Sequence, residues 1–195
     1  TVKFAKISRL LAAIHSYSRA CEKALALFDA DLITRNTTEV KSRNCLVVLS
    51  HDRGFCGGFN GELLRFFDAQ MAAESEKPLL IMYGLKGVTF CNTKGYEFEP
   101  LTFSDIPSYQ DAEALTKRLL EIYTSGEADH VDMIYQRFDN MMTQTPVRET
   151  IFPRNTEESA HAKRDILFLP DRKTAEQDPA MYCLINSIYR IMLGH

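Results

Sequence analysis

The run "CLVVLS" at Cys45–Ser50 constrains the fold more than any other segment of the chain. An unbroken apolar run rich in β-branched residues is typical of a strand that is buried on both faces of a parallel sheet. A glycine-rich turn follows, and Gly61–Ala73 then reads as a helix with Asn60 as its N-cap and Glu62 in its first turn. A strand, a turn and a helix in this order predict an α/β fold.

The rest of the chain continues the alternation of strands and helices. Gly95 stands in the position of a C-cap glycine and is expected to end one short helix. Ser108 and Asp111 predict a capping box at the start of a further helix, which is expected to stop at Gly126. Together these segments predict an open, mostly parallel, Rossmann-like sheet with flanking helices. The further strands are expected at Pro78–Gly84, Phe98–Phe103, His130–Phe138 and Pro146–Phe152, and the further helices at Leu85–Lys94 and Ala180–Leu193.

The first 32 residues contain neither proline nor glycine and carry an apolar stripe at three- and four-residue steps. A helix of this length would be about 48 Å long, which exceeds the width of a small domain, and its stripe requires a partner helix. The stripe consists of Ile7, Leu10, Ile14, Tyr17, Cys21 and Leu25, with Leu11 and Phe28 beside it.

Composition excludes several classes of protein. A net charge of -3 and a pI near 6.0 do not indicate a nucleic-acid-binding protein. No apolar run approaches the roughly 20 residues that span a bilayer, so a soluble chain is expected. The five cysteines are scattered without metal-ligand spacing, which favours free thiols over a disulfide framework or a zinc site. No catalytic residue, cofactor or metal is predicted.

The turn between the first strand and its helix fails the spacing of three phosphate-binding loops. The residue five positions after Gly54 is Phe59, and the residue five after Gly57 is Glu62, so no P-loop is present; the glycines also lack dinucleotide spacing. A cysteine-phosphatase loop would need an arginine where Glu62 stands. Cys56 is then either a reactive thiol near a helix N-terminus or a small residue in a tight turn, and the glycines favour the second interpretation. The predicted structural turn comprises Asp52, Arg53, Gly54, Cys56, Gly57, Gly58 and Asn60.

Several segments resemble the gamma subunit of F-type ATP synthases, in the family's order and with roughly its spacing. "VVLSHDRGFCGGFNGELL" is similar to the family's strand-turn-helix signature, and "LLIMYGLKGVTFCNTKGYEF" to its second strand and the segment that follows. "VDMIYQRFDNMMTQTPVRETIFP" resembles the family's strand, turn and returning strand. The ends, "TVKFAKISRLLAA" and "YCLINSIYRIML", resemble the N-terminal shaft helix and the start of the C-terminal helix, and "DILFLPDRKTA" the linker before it.

The resemblance implies a non-catalytic central rotor. Residues 1–35 would be a shaft helix in an antiparallel coiled coil, 36–170 the globular domain, and 171–195 a linker and the start of the C-terminal helix. The shaft would turn inside a ring of alpha and beta subunits, with Lys3, Lys6 and Arg9 facing that ring, and would couple proton flow to ATP synthesis or hydrolysis. The globular domain would stand on the c-ring beside the delta and epsilon subunits of the central stalk.

The chain departs from the family pattern at its end. About 50 residues of the long C-terminal helix are absent, by the helix length involved, so we expect either a fragment or a rotor split between two polypeptides. Tyr17, Cys21 and Leu25 are predicted to contact the missing helix. The expected location is the matrix side of the inner mitochondrial membrane, with the cytoplasmic side of a bacterial membrane as the alternative.

Two other function classes remain open at this stage. One is an α/β enzyme that uses Asp52, Arg53 and Cys56 at the carboxyl edge of the sheet, where such folds often place their sites. The other is a plain interaction module on a helical scaffold. The scattered histidines, His15, His51, His130, His161 and His195, show no pairing pattern that would favour the enzyme.

Overall fold

The computed structural model describes residues 43–51, 59–103, 106–140, 143–153 and 172–194. These residues form a mixed α/β fold with one five-stranded sheet and four helices. The strands are β1 (Asn44–Leu49), β2 (Leu79–Tyr83), β3 (Glu99–Leu101), β4 (His130–Asn140) and β5 (Thr143–Phe152). The helices are α1 (Phe59–Ala73), α2 (Leu85–Lys94), α3 (Tyr109–Thr124) and α4 (Arg172–Gly194).

The sheet has the strand order β3-β2-β1-β4-β5, with β1 at its centre. β1 pairs in parallel with β2 and with β4, and β2 pairs in parallel with β3. β5 pairs with β4 in the antiparallel direction and forms one edge. The central position of β1 explains its sequence, because both faces of an inner parallel strand are covered and Cys45–Leu49 is buried throughout.

Each face of the sheet has its own apolar layer. On one face, Leu63 and Phe67 of α1 and Cys91 of α2 pack in a cluster with strand residues, among them Val48 and Ile134. On the other face, the ring of Tyr123 in α3 stacks on Phe152 with centroids 5.3 Å apart. The sheet is thus a middle layer between helices, which is the arrangement predicted for a Rossmann-like fold.

Several predicted boundaries agree with the structure. Helix α2 has the predicted limits, and Gly95 after it adopts the left-handed conformation with φ 72°. The capping box before α3 is also confirmed. Asp111 Oδ2 accepts hydrogen bonds from the Ser108 backbone and hydroxyl, both at 2.7 Å, and Ser108 Oγ accepts one from Asp111 N at 3.1 Å.

Other predicted boundaries were wrong. Helix α1 begins at Phe59, so Asn60 lies in its first turn rather than at its N-cap. β5 begins at Thr143 rather than Pro146, because an edge strand tolerates a proline that donates no hydrogen bond. Helix α4 begins at Arg172 and continues across Pro179, since a proline removes only one hydrogen bond from a long helix. The third strand is shorter than expected, at three residues.

The described residues fall into two compact units. One contains the sheet, α1, α2 and the part of α3 from Leu119 onward; the other contains α3 up to Arg118 and α4 up to Leu193. In the second unit, the ring of Tyr109 lies 6.0 Å from Tyr182 and 5.8 Å from Tyr189, measured between centroids. None of the helices in the described ranges is both long and apolar enough to cross a membrane.

Candidate functional site

Most residues that the sequence singled out lie outside the described ranges. These are the three ring-facing cations Lys3, Lys6 and Arg9, the stripe Ile7, Leu10, Ile14, Tyr17, Cys21 and Leu25, and the turn residues Asp52, Arg53, Gly54, Cys56, Gly57 and Gly58. Asn60 is the one turn residue that the structure describes. The residues on both sides of the turn, Ser50 and His51 before it and Asn60 after it, lie within the described ranges.

Ser50 fixes the strand that leads into the turn. Its hydroxyl donates to the carbonyl of Tyr83 at 2.7 Å and accepts from the backbone N–H of Gly87 at 2.9 Å. Gly87 is the third residue of α2, and the N-cap residue of that helix, Gly84, makes no side-chain capping bond. The first N–H groups of a helix lack hydrogen-bond partners within that helix. Ser50, the residue directly after β1, therefore acts as a cap for α2.

Two glycines make this close approach possible. Gly84 has φ 89°, and a Cβ at that position would lie 2.2 Å from the Ser50 carbonyl oxygen. A Cβ on Gly87 would lie 2.3 Å from the Met82 sulfur. A side chain on Gly84 would push the end of β2 away from the end of β1, whereas one on Gly87 would displace the side chains of Met82 and Ser50.

Asn60 fixes the other end of the turn. Its Oδ1 accepts a hydrogen bond from the backbone N–H of His51 at 3.2 Å. Because Ser50 is tied to β2 and α2 while His51 is tied to α1, the two ends of the turn meet on one rigid base. These contacts of Ser50 and Asn60 are hydrogen bonds between neutral polar groups on either side of the turn.

The described cysteines give no support to thiol chemistry. Cys45, Cys91 and Cys183 are buried and form no disulfide. Burial raises the pKa of the Cys91 thiol to about 11, so it is protonated at neutral pH and is a poor nucleophile. Within the described ranges, no group of three or more His, Cys, Asp or Glu side chains could hold a metal ion.

A charged cluster on the α1 face of the sheet was not predicted from the sequence. Arg148 Nε donates to Asp132 Oδ2 at 2.7 Å, and its Nη1 donates to Glu74 at 2.7 Å and to Gln70 at 3.0 Å. Asn44 Nδ2 in turn donates to the second oxygen of Glu74 at 2.5 Å. We name these five residues the Arg148 cluster.

In the Arg148 cluster, Asp132 is buried and the other four residues are half-buried, and there are two carboxylates for one guanidinium. The Asp132 and Glu74 side chains are 5% and 10% exposed, and that of Arg148 is 23% exposed. Burial by itself lowers the pKa of Arg148, but hydrogen bonds to Asp132 and Glu74 outweigh it and the pKa is raised. An aspartate within the apolar strand "VDMIY" was the signal in the sequence, since buried carboxylates require a partner.

A second charged contact joins α1 to the end of α2. Lys94 Nζ and the hydroxyl of Tyr96 each donate to one oxygen of Asp68 at 2.8 Å. The pKa of Asp68 is lowered, chiefly by the hydrogen bond from Lys94 and next by that from Tyr96. This contact is partly exposed, so solvent screens it more than the Arg148 cluster.

Comparison with known proteins points to one family. A family model described as ATP synthase matches residues 1–195. The ATP synthase gamma chain of Rubrobacter xylanophilus is 30% identical over 188 residues, covering 89% of this chain and 64% of that protein. The chloroplastic ATP synthase gamma chain of Trieres chinensis is 30% identical over 193 residues, covering 85% of this chain and 50% of that protein. The chain thus spans about half to two thirds of the length of these relatives.

Two solved structures share the fold of this chain. The central stalk and c-ring structure of Tetrahymena thermophila mitochondrial ATP synthase matches with a TM-score of 0.63 at 18% identity, covering 100% of this chain and 92% of that chain. The rotor of Euglena gracilis mitochondrial ATP synthase matches with a TM-score of 0.50 at 14% identity, covering 97% and 80%. At these identities the likeness shows the fold.

Proposed function

Because the chain belongs to the gamma-chain family of ATP synthases, we propose that it is a non-catalytic subunit of the central rotor that couples proton flow to ATP synthesis or hydrolysis. The observation that carries this proposal is the match of the family model to residues 1–195. The shared fold with two central-stalk structures supports it. The contacts beside the glycine-rich turn also support it, because the Ser50 hydroxyl and Asn60 Oδ1 each accept a hydrogen bond from a backbone N–H.

The shaft part of the proposal concerns the N-terminal segment. Lys3, Lys6 and Arg9 contact the surrounding alpha and beta subunits, where opposite charges steer more than they bind. The stripe from Ile7 to Leu25 packs against a second shaft helix in an antiparallel coiled coil. Support comes from the three-residue recurrence of the cations and from the helical spacing of the stripe.

The globular part of the proposal places the α/β domain, residues 36–170, on the c-ring beside the delta and epsilon subunits. The Tetrahymena structure that shares this fold contains a central stalk and a c-ring. We further propose the matrix side of the inner mitochondrial membrane as the location. The two mitochondrial structures support it, while bacterial and chloroplast relatives make the cytoplasmic side of a bacterial membrane the alternative.

Purification of the native complex tests the proposed function. A tagged copy of the chain is captured from its own cells, and every co-purifying polypeptide is identified by intact mass. We expect alpha and beta subunits, together with a helix that completes the shaft, either on this polypeptide or on a second one. Recovery of neither alpha nor beta subunits would rule out the rotor.

Nucleotide binding by the purified chain separates the rotor from an enzyme. We expect no saturable binding of ATP or ADP at millimolar concentration, because the turn lacks the spacing of a P-loop, of a dinucleotide-binding loop and of a cysteine-phosphatase loop. Binding that is lost in the Arg53→Gln variant but kept in the Arg65→Gln variant would instead favour an enzyme that uses the turn.

A further inference from the structure

The Arg148 cluster holds more negative than positive charge. The Asp132 side chain is 5% exposed and that of Glu74 is 10% exposed, and among the described residues Arg148 is the one cation that pairs with either carboxylate. Because Asn44 and Gln70 are neutral, one negative charge of the cluster has no counterpart. A buried charge without a partner is costly, so the cluster favours a further cation.

One oxygen of Asp132 marks where that cation would bind. Oδ2 contacts both Nε and Nη2 of Arg148, at 2.7 and 2.6 Å, whereas Oδ1 is buried and accepts no hydrogen bond from the part of the chain that the structure describes. Glu74 differs, since one of its oxygens accepts a bond from Arg148 and the other a bond from Asn44. Buried carboxylate oxygens without any partner are rare in folded proteins, so Asp132 Oδ1 points to a ligand.

The carboxyl end of α1 adds negative potential and further oxygen ligands. This helix ends at Ala73, one residue before Glu74, and has no basic residue in its last turn. The last carbonyl groups of a helix lack partners within it, and together they give that end a partial negative charge. Arg148 contacts Gln70 of the last turn as well as Glu74 and Asp132, so the helix end lies at the same cluster as Asp132.

These oxygens suit a monovalent cation better than a divalent one. Calcium requires several oxygen ligands with carboxylates among them, and within the described ranges no group of three or more His, Cys, Asp or Glu side chains could hold a metal ion. We propose that a monovalent cation, potassium or sodium, binds Asp132 Oδ1 beside the carboxyl end of α1. The ion neutralises the Arg148 cluster and links β4 to α1. This site does not depend on the proposed function as a rotor.

Thermal unfolding of the full chain in three salts tests the site. At a fixed ionic strength of about 0.15 M, we expect the melting temperature to be about 3 °C higher in potassium chloride or sodium chloride than in choline chloride, because a ligand that binds only the folded chain stabilises it. Choline carries the same charge but is too large for a buried site. Equal melting temperatures in all three salts would overturn the proposal, and a buried water would then account for Asp132 Oδ1.

A pair of matched variants locates the ion. Asp132→Asn removes the charge at the proposed ligand, so the difference between the salts should fall below about 1 °C. Glu113→Gln is the control, because it removes a carboxylate from an exposed pair with Lys117 and should keep the full difference. Loss of the difference in both variants, or in neither, would refute a site at Asp132.

Two further measurements keep the test decisive if Asp132→Asn does not fold. Glu74→Gln leaves Asp132 in place but removes the excess negative charge, so the difference between the salts should fall by about half or more; an unchanged difference would contradict the charge argument. Crystals of the full chain grown with thallium(I), an electron-dense substitute for potassium, should show an anomalous-scattering peak next to Asp132 Oδ1. Peaks at exposed carboxylates alone would overturn the proposal.

Discussion

Among single residues, Ser50 makes the most consequential contact in the frame of the turn. Replacement by alanine leaves the Gly87 N–H without its partner, while the Tyr83 carbonyl keeps a bond from Ser50 N at 3.0 Å. We expect Ser50→Ala to lower the free energy of unfolding by about 1–2 kcal/mol, the usual cost of losing a helix cap. Urea denaturation measures this. The control Thr93→Ala, which removes an exposed hydroxyl bonded to Thr89 O, should cost less than about 0.5 kcal/mol; equal losses would contradict the capping role.

Gly84 and Gly95 form a matched pair that separates steric crowding from backbone strain. Both have positive φ, 89° and 72°, but a Cβ on Gly84 meets the Ser50 carbonyl oxygen at 2.2 Å, whereas one on Gly95 meets nothing within 4 Å. Gly95→Ala should cost about 1–2 kcal/mol for the left-handed conformation alone. Gly84→Ala should cost at least about 3 kcal/mol, because the strand ends must also separate. Thermal unfolding of the two variants side by side is the measurement, and similar melting temperatures would show that β1 and β2 can move apart cheaply.

Between elements, the contact of Asp68 with Lys94 and Tyr96 gives the junction of α1 and α2 a defined pH dependence. The pKa of Asp68 is lowered from 3.8, so its contribution is present above that value and is lost as the pH falls through the lower folded value. We expect Asp68→Asn to lower the free energy of unfolding at pH 7, measured by urea denaturation, by less than about 1 kcal/mol because the contact is partly exposed. The difference from the unaltered chain should shrink as the pH falls below 3.8 and through the lower folded pKa of Asp68.

The same contact also depends on pH at alkaline pH, and the pair of Glu97 with Lys77 provides a comparison. The pKa values of Lys94 and Tyr96 are raised by their hydrogen bonds to Asp68, so their contribution is lost as the pH rises through those higher values. Glu97→Gln removes a more exposed pair with Lys77 and serves as the comparison. If Glu97→Gln lowers the free energy of unfolding at pH 7 by more than Asp68→Asn does, then solvent exposure does not set the strength of these contacts.

Element boundaries show where sequence patterns lose their power. The ends of α2 and the start of α3 were predictable because glycine and the Ser108–Asp111 box act locally. The early start of β5 was not predictable, because it depends on pairing with β4 and not on the local sequence of β5. The early start of α4 was missed because Pro179 is a helix breaker only on average.

Across the whole molecule, the sequence revealed the fold class better than the contacts that hold it. The apolar run in β1 predicted a central parallel strand, since burial on both faces leaves a local trace. Asp132 within the apolar strand indicates a buried carboxylate that needs a partner, but nothing local identifies Arg148 as that partner, because the two residues are 16 positions apart and meet only once β4 and β5 pair. Ser50 is part of the quoted motif, but its bond to Gly87 spans 37 positions and joins the end of β1 to α2.

The proposed role of the N-terminal cations is a property of the assembled complex and is tested there. Replacing Lys3, Lys6 and Arg9 together by glutamine should slow complex assembly or ATP hydrolysis at low ionic strength by roughly tenfold, since opposite charges speed association by about that factor or more. The defect should shrink above about 0.3 M salt, where screening removes the attraction in the unaltered complex too. The control replaces Lys77, Lys86 and Lys117, three exposed cations of the described residues, by glutamine and changes the net charge equally. If both triple variants behave alike, net charge and not the face formed by Lys3, Lys6 and Arg9 governs the interaction. A defect that persists at high salt would show close packing against the ring instead of electrostatic steering.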